Sequence, residues 1–285
     1  MVNLIPHRTL CLLLCLLGWP LSGAAATPQR IISLTPHLTE LLYDIGAGDR
    51  IVATDDASDF PPEVAPLPRV ANYRSINLEA LLAQKPDLVV AWRSAQSRML
   101  VPVEKLGIPV FYSEPTDFAS LADEMRSLGR LLGTRQKADQ QADAYLARLN
   151  ALKQRYGKPK PVSVFYQLWY PPLTSVNDST WPGHAIRLCG GRNIIADASS
   201  PYPQVGLEQV IKANPDLILA GSQDPDALRH WQRWPMLDAV KHGRLRLIDT
   251  DKLHRFTPRA LDAVEMICRA IHYQAPLPNK RATGA

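Results

Sequence analysis

Five large aromatic side chains stand where a ligand, rather than a core, would use them. Trp92 closes the apolar run Leu88-Val89-Val90-Ala91, Trp169 and Tyr170 close the run from Val162 to Leu168, Tyr73 follows Ala71-Asn72, and Tyr202 lies just ahead of Gly206-Leu207-Glu208. Apolar runs of this length read as buried strands, and the carboxyl ends of parallel strands are where open α/β sheets bind ligands. Singly, each ring has an ordinary packing explanation. Drawn from both halves of the chain to one kind of position, they suit a large, flat, partly apolar ligand. Covalent chemistry finds no such constellation: Gly-x-Ser-x-Gly, a phosphate-cradling glycine loop, His-Glu-x-x-His and Cys-x-x-Cys are absent, and the seven histidines are dispersed. Asp55-Asp56 with Asp59 could gather a cation in an exported enzyme, but adjacent acids on a loop more often form a solvated turn, and a turn is expected. No catalytic residue and no metal ligand is assigned.

What must position the rings is written twice. Asn77-Leu78-Glu79-Ala80-Leu81-Leu82-Ala83-Gln84-Lys85-Pro86-Asp87-Leu88-Val89-Val90-Ala91 returns about 130 residues later as Gly206-Leu207-Glu208-Gln209-Val210-Ile211-Lys212-Ala213-Asn214-Pro215-Asp216-Leu217-Ile218-Leu219-Ala220. In each copy a Leu-Glu pair opens a short helix. Pro-Asp ends it, because the residue before proline disfavours the α region, and a buried strand follows. So long a period excludes a solenoid and predicts two related α/β lobes with a cleft between them. Glu79 and Glu208 occupy the same place in the two copies. Each either favours its own helix N-terminus or meets something outside its lobe, and the residues alone leave both open.

The remaining elements follow the same rhythm. Arg30 to Leu34 reads as a strand, Thr35 as the cap of a helix with Pro36 first, Gly46 as its stop, and Arg50 to Ala53 as the next strand. Strand, helix, strand means a parallel sheet. A helix near 96–106 leads through Gly107 to a strand at 108–113. From Arg135 to Tyr156 there is neither glycine nor proline, and Ala138, Ala142, Tyr145, Leu149, Leu152 and Tyr156 share one face. This predicts a single helix of about 33 Å, the only link between the lobes and a stiff one, so closure motions should be small. Lobe two holds a strand at 162–168, a helix at 184–188 stopped by Cys189-Gly190-Gly191, an aromatic helical region around Trp231 and Trp234, and a strand at 244–249. A last helix runs from Thr257-Pro258 to about Tyr273, with Leu261, Val264, Cys268 and Ile271 on one face. The expected boundaries are a signal peptide at 1–26, an N-terminal lobe at 27–134, the linking helix at 135–157, a C-terminal lobe at 158–274 and a flexible tail at 275–285.

The start of the chain reads as a leader. His7 and Arg8 form a weakly basic opening, Leu10 to Leu17 is almost continuously apolar, and Gly23-Ala24-Ala25-Ala26 supplies small residues for cleavage. The apolar run is short of the roughly 20 residues that span a bilayer. Of four cysteines, Cys11 and Cys15 fall in the leader, leaving Cys189 and Cys268. In an exported chain such a pair is usually a disulfide, the alternative being two buried thiols. The formal net charge is +5, but the basic residues are scattered, so nucleic acid is not expected as a partner.

Several stretches carry a family resemblance: Leu34-Thr35-Pro36-His37-Leu38-Thr39-Glu40-Leu41, Ser58-Asp59-Phe60-Pro61-Pro62, Asn77-Leu78-Glu79, Lys85 through Arg93, and Leu188-Cys189-Gly190-Gly191-Arg192-Asn193-Ile194. Over nearly all of the mature chain these resemble the periplasmic cobalamin-binding proteins of ABC-type import. Those belong to the helical-backbone family of metal-chelate receptors. The resemblance implies a monomeric periplasmic carrier without catalytic activity. Cobalamin or a related corrinoid is its cargo rather than a cofactor, held between two lobes joined by one helix and delivered to an inner-membrane permease dimer.

Position by position, the resemblance implies ligand contacts from Tyr73 and Tyr202, where the family has tryptophans, from Trp92, and from the segment Asp251-Lys252-Leu253-His254-Arg255. It implies a Cys189–Cys268 disulfide and a docking role for Glu79 and Glu208 on permease arginines. Ala57 stands where the family carries a tyrosine, and the 251–255 segment lacks the family's aromatic pair. Trp169 and Tyr170 are expected to compensate. A haem reached by His254 or Tyr73, or an iron siderophore clasped by Arg93 and Arg255, is the alternative within the same transport class.

Overall fold

The computed structural model describes residues 26–272. The expected signal segment, apart from its final residue, and the expected tail lie outside the described residues. The first sheet is built from β1 (Ile31–Ser33), β2 (Ile51–Asp55), β3 (Arg69–Ala71), β4 (Leu88–Trp92) and β5 (Val110–Ser113), in the order β3-β2-β1-β4-β5. Its helices are α1 (Pro36–Asp44), α2 (Leu78–Ala83), α3 (Arg93–Lys105) and α4 (Ser120–Leu131). A long helix, α5 (Arg135–Tyr156), then leads to the second lobe. There β6 (Ser163–Gln167), α6 (Trp181–Leu188), β7 (Arg192–Asn193), α7 (Leu207–Ala213), β8 (Leu217–Gly221), α8 (Asp238–Lys241), β9 (Leu245–Ile248), α9 (Thr250–Leu253) and α10 (Ala260–His272) form a sheet in the order β7-β6-β8-β9 with its helices. Every strand pairing in both sheets is parallel. Helices cover the faces of parallel sheets, which is why β4 and β8 are almost wholly apolar and buried.

The repeated segment forms the same unit in both lobes. Lys85 and Asn214, each just before its proline, adopt left-handed backbones with φ of 47° and 42°. The aspartate that follows then clamps the start of the neighbouring strand. Asp87 accepts hydrogen bonds from the backbone N–H groups of Gln29 (2.7 Å) and Arg30 (2.8 Å), and Asp216 from the N–H (2.8 Å) and hydroxyl (2.7 Å) of Ser163. Pro-Asp therefore does more than stop a helix: it pins β1 or β6 beside the strand it precedes.

The predicted face of α5 is the observed one, with Ala138, Ala142, Tyr145, Leu149, Leu152 and Tyr156 all buried. It packs along α4 and also touches α6 and α10. The approach to α4 is so close that a Cβ on Gly129 would fall 2.2 Å from that of Ala138. One apolar core, from Ile31 through α4 and α5 to Ile271, runs through both lobes.

Some details differ from expectation. Thr35 takes the cap position of α1, but its hydroxyl makes no capping bond and is buried without a partner. The edge strands β3 and β7, of three and two residues, are too short to carry a period and were not expected. Neither was α4, although Leu121, Met125, Leu128 and Leu132 keep the helical spacing. The segment expected as a binding loop at 251–255 begins as a helical turn, because Asp249 accepts a bond from the Asp251 N–H and caps it. Among the described residues no helix is long and apolar enough to cross a membrane.

Cys189 and Cys268 are joined, with 4.7 Å between their Cα atoms, and tie the end of α6 to α10 across a sequence separation of 79. Cross-linking so long a loop removes about 4 kcal/mol of chain entropy from the unfolded state. Replacing both cysteines with serine is therefore expected to lower unfolding stability by roughly 2–5 kcal/mol in urea titrations. An unchanged midpoint would show that the packing of α6 on α10 suffices.

Candidate functional site

The carboxyl ends of four parallel strands open on one side of the first sheet and face the turn after α9. Leu34 to His37 follow β1, Asp55 ends β2 with Asp56 and Ala57 after it, Asn72 to Arg74 follow β3, and Trp92 ends β4. With Ala95, Gln96, His254 and Arg255 they enclose an inter-lobe cavity of about 670 Å³. That lies within the size of small-molecule sites, at the end of the sheet where such sites form. A hollow of about 810 Å³ on lobe two, between β9 and α10, shares none of these residues.

Aromatic rings make the floor and join the lobes. Trp92 meets Phe256 edge-on at 5.6 Å, His37 meets Phe256 at 5.3 Å, Trp181 lies 4.6 Å from Phe256, and Phe118 meets Trp181 at 4.3 Å. Trp92 is fixed from behind by Gln96, buried one helical turn later. The Gln96 carbonyl accepts from the Trp92 N–H (2.9 Å) and its amide donates to the carbonyl of Leu34 (2.8 Å). Gln96, Phe256 and Trp181 were not singled out in the sequence. The i, i+4 spacing of Trp92 and Gln96 is the one local signal for them.

Below this floor a buried carboxylate holds two guanidiniums from the opposite lobe. Glu40 on α1 is 2% exposed. It accepts from Arg255 Nη1 (2.9 Å) and Arg259 Nε (2.8 Å). Arg255 also donates to Asp59 (2.6 Å) and reaches Asp251 at 3.5 Å, so three carboxylates surround it. Bonds to Asp59 and Glu40 outweigh burial and hold its guanidinium above the ordinary arginine range. Asp55 corrects the expectation of a solvated turn. It is 5% exposed, accepts from Ser58 Oγ and the Ala57 N–H, and is pushed upward in pKa by burial. It shapes the loop that carries Ala57 and Asp59. Among the described residues no group of histidine, cysteine or acidic side chains is arranged to hold a metal ion.

The expected contact residues divide. Ala57, Tyr73, Trp92, His254 and Arg255 line the cavity. Tyr73 is 81% exposed and stacks beneath Arg74. Trp169 and Tyr202 are open on lobe two, 64% and 54% exposed, outside the cavity lining. Tyr170 is stacked on His230 at 4.0 Å. Arg93 turns to Glu114 and the Tyr112 ring. Asp251 bonds Gln223 and Arg255. Two expectations are corrected: Lys252 pairs with Asp262 on α10, and Leu253 is fully buried in the core, because the helical turn of α9 points them away from the cleft. Glu79 and Glu208 are exposed in the first turns of α2 and α7 and form no ion pair among the described residues.

His37 carries a pH signature. Burial, and then the charge of Arg255, push its imidazole down from 6.5 to about 3. Between those values the unfolded chain binds a proton that the folded one refuses, so stability falls on acidification by about 1.4 kcal/mol per pH unit. Asp44 works the other way: burial, with Glu40 nearby, lifts it from 3.8 to about 6, and its contribution is lost as pH rises through that interval. A His37→Gln variant isolates the first effect. Its stability relative to the parent should climb by about 1.4 kcal/mol per unit as pH falls below 6.5, and a pH-independent difference in urea titrations would contradict this.

Comparison with known proteins adds to this geometry. Residues 31–252 match the family described as "Periplasmic binding protein". A vitamin B12-binding protein of Vibrio cholerae serotype O1 is 37% identical over 242 residues, covering 84% of this chain and 88% of the relative. The crystal structure of the periplasmic vitamin B12-binding protein BtuF of Vibrio cholerae superposes with a TM-score of 0.79 at 36% identity, covering 86% of this chain and 97% of that one. The periplasmic heme-binding protein HutB of Vibrio cholerae superposes with a TM-score of 0.75 at 22% identity, covering 86% and 99%, a likeness of fold alone.

Proposed function

The chain belongs to the periplasmic binding protein family, and from that premise we propose that it captures cobalamin or a related corrinoid between its lobes and delivers it to an ABC-type importer. The observation that carries this reading is the inter-lobe cavity: an aromatic floor with Trp92, a rim with Tyr73, and an arginine whose charge is already matched. A corrinoid is broad, flat and rimmed with neutral amides, so it asks for rings and hydrogen-bonding groups rather than a cationic pocket. The most similar relatives quoted above carry vitamin B12-binding names.

Charge separates this from haem or an iron siderophore. Propionates or catecholates would need converging cations, whereas Arg255 is held by Glu40, Asp59 and Asp251, Arg93 faces Glu114, and the lining includes Asp55 and Asp56 as well as Arg74. Trp169, Tyr170 and Tyr202, exposed on lobe two, are assigned to the outer wall of the site. The carrier works as a monomer in the periplasm after removal of the leader. Its lobes at 27–134 and 158–274 are joined by 135–157, and Glu79 and Glu208 face the permease.

Calorimetric titration with cyanocobalamin tests the site. One saturable site is expected, and Trp92→Ala should weaken it by about 30- to 150-fold, the loss of roughly 2–3 kcal/mol of buried ring surface and edge contacts. Unchanged affinity in that variant would place the ligand elsewhere.

A further inference from the structure

The two copies of the repeat part company at their last residue: β4 ends in Trp92, β8 in Gly221. Gly221 has no room for a side chain. A Cβ there would lie 2.4 Å from the Tyr166 hydroxyl, 2.9 Å from His254 Cε1 and 3.1 Å from His254 Nε2. In lobe two, the place that Trp92 fills in lobe one is taken by a tyrosine and a histidine. Tyr166 Oη lies 2.9 Å from His254 Nε2. Tyr166 is fully buried on β6, whereas His254 opens onto the cavity.

Hydrogen-bond accounting settles which ring nitrogen carries the proton. Among the described residues the Tyr166 hydroxyl has no acceptor other than His254 Nε2, and the imidazole makes no other side-chain bond. A buried O–H left without an acceptor costs about 1–3 kcal/mol. Tyr166 therefore donates, Nε2 accepts, and the proton of a neutral ring sits on Nδ1. Burial raises the phenol and lowers the imidazole, which keeps the hydroxyl protonated and the ring neutral.

We infer that His254, locked by Tyr166 in the Nδ1–H tautomer, is a specificity-determining hydrogen-bond donor in the cleft, directed to an acceptor oxygen on the ligand's periphery and unable to coordinate the ligand's metal. Neither nitrogen offers a lone pair, since one is taken by Tyr166 and the other protonated. Tyr166 is the positioning residue, and Gly221 makes the space. This rests on the corrinoid reading and sharpens it: the protein supplies no axial ligand, and it recognises amide carbonyls at the edge of the macrocycle.

The first test needs no ligand. Nitrogen-15 correlation spectra of the ring in the intact protein should show Nδ1 protonated and Nε2 as acceptor, and Tyr166→Phe should release that preference. A protonated Nε2 in the parent overturns the inference. The second test uses aquocobalamin, whose exchangeable axial water reports coordination. The bound visible spectrum should stay that of the aquo form, and a shift to an imidazole-ligated spectrum that His254→Leu abolishes overturns the inference.

Affinities complete the test. His254→Leu is expected to weaken cyanocobalamin binding about tenfold and His254→Gln, which keeps a donor, about twofold. Equal losses in variants of equal thermal stability reduce His254 to packing and overturn its donor role. Failure of the parent to bind any corrinoid, with the tautomer as stated, would refute the proposed function and leave the tautomer assignment standing.

Discussion

Replacing Glu40 with alanine is expected to lower unfolding stability by about 3–5 kcal/mol and to weaken cobalamin binding with it. The expectation follows from asymmetry. A buried ion pair gains little over an apolar substitute, but removing one partner uncovers the other: loss of Glu40 takes from Arg259 its ion pair and leaves Arg255 only the more exposed Asp59 and Asp251. Arg255 and Arg259 come from lobe two and Glu40 from lobe one, so the loss falls on the interface that sets the width of the cleft. Urea unfolding and calorimetric titration check both effects. Glu40→Gln adds a signed consequence. It keeps the shape but leaves positive charge under the cavity, so affinity for anionic haemin should rise as affinity for cobalamin falls. If cobalamin affinity falls with no gain for haemin, Glu40 acts through packing alone.

The second large effect concerns transport. Alanine at both Glu79 and Glu208 is expected to leave cobalamin affinity within about twofold and to reduce uptake through the importer by about a hundredfold or more. That is the loss of two charge-assisted pairs of roughly 1.5–3 kcal/mol each. The two carboxylates occupy the same position in two repeated units, both are exposed, and neither has an ion-pair partner among the described residues. Repeated acceptors suit a symmetric partner. By contrast, the aspartates of the same repeat are spent inside the fold on β1 and β6. Reconstituted transport assays alongside binding assays separate the roles, and weakened binding with normal uptake would refute the docking assignment.

The long-range frame was legible in the residues because it is written in periods. The six buried positions of α5, the repeated helix and strand, and the inward face of α10 all follow from spacing, and the observed elements agree within a few residues. The short edge strands were not legible, since two or three residues carry no period. The cleft was legible in part. Trp92 could be placed because it ends a strand, and Tyr73 and Ala57 through the family resemblance; Gln96 left only its i, i+4 spacing from Trp92, and Phe256 and Trp181 join the site through contacts between lobes that no local pattern records. The helical turn at α9 explains the opposite fates of neighbours: His254 and Arg255 reach the cavity while Lys252 and Leu253 turn to α10 and the core. Glu40 sat in a quoted motif, yet its two partners lie more than two hundred residues away.

Ligand identity is read by a paired visible-absorbance titration of the purified protein. Cyanocobalamin should bind saturably at one equivalent, and haemin should give no saturable Soret shift. Saturable haemin binding with none for cyanocobalamin would contradict a corrinoid site.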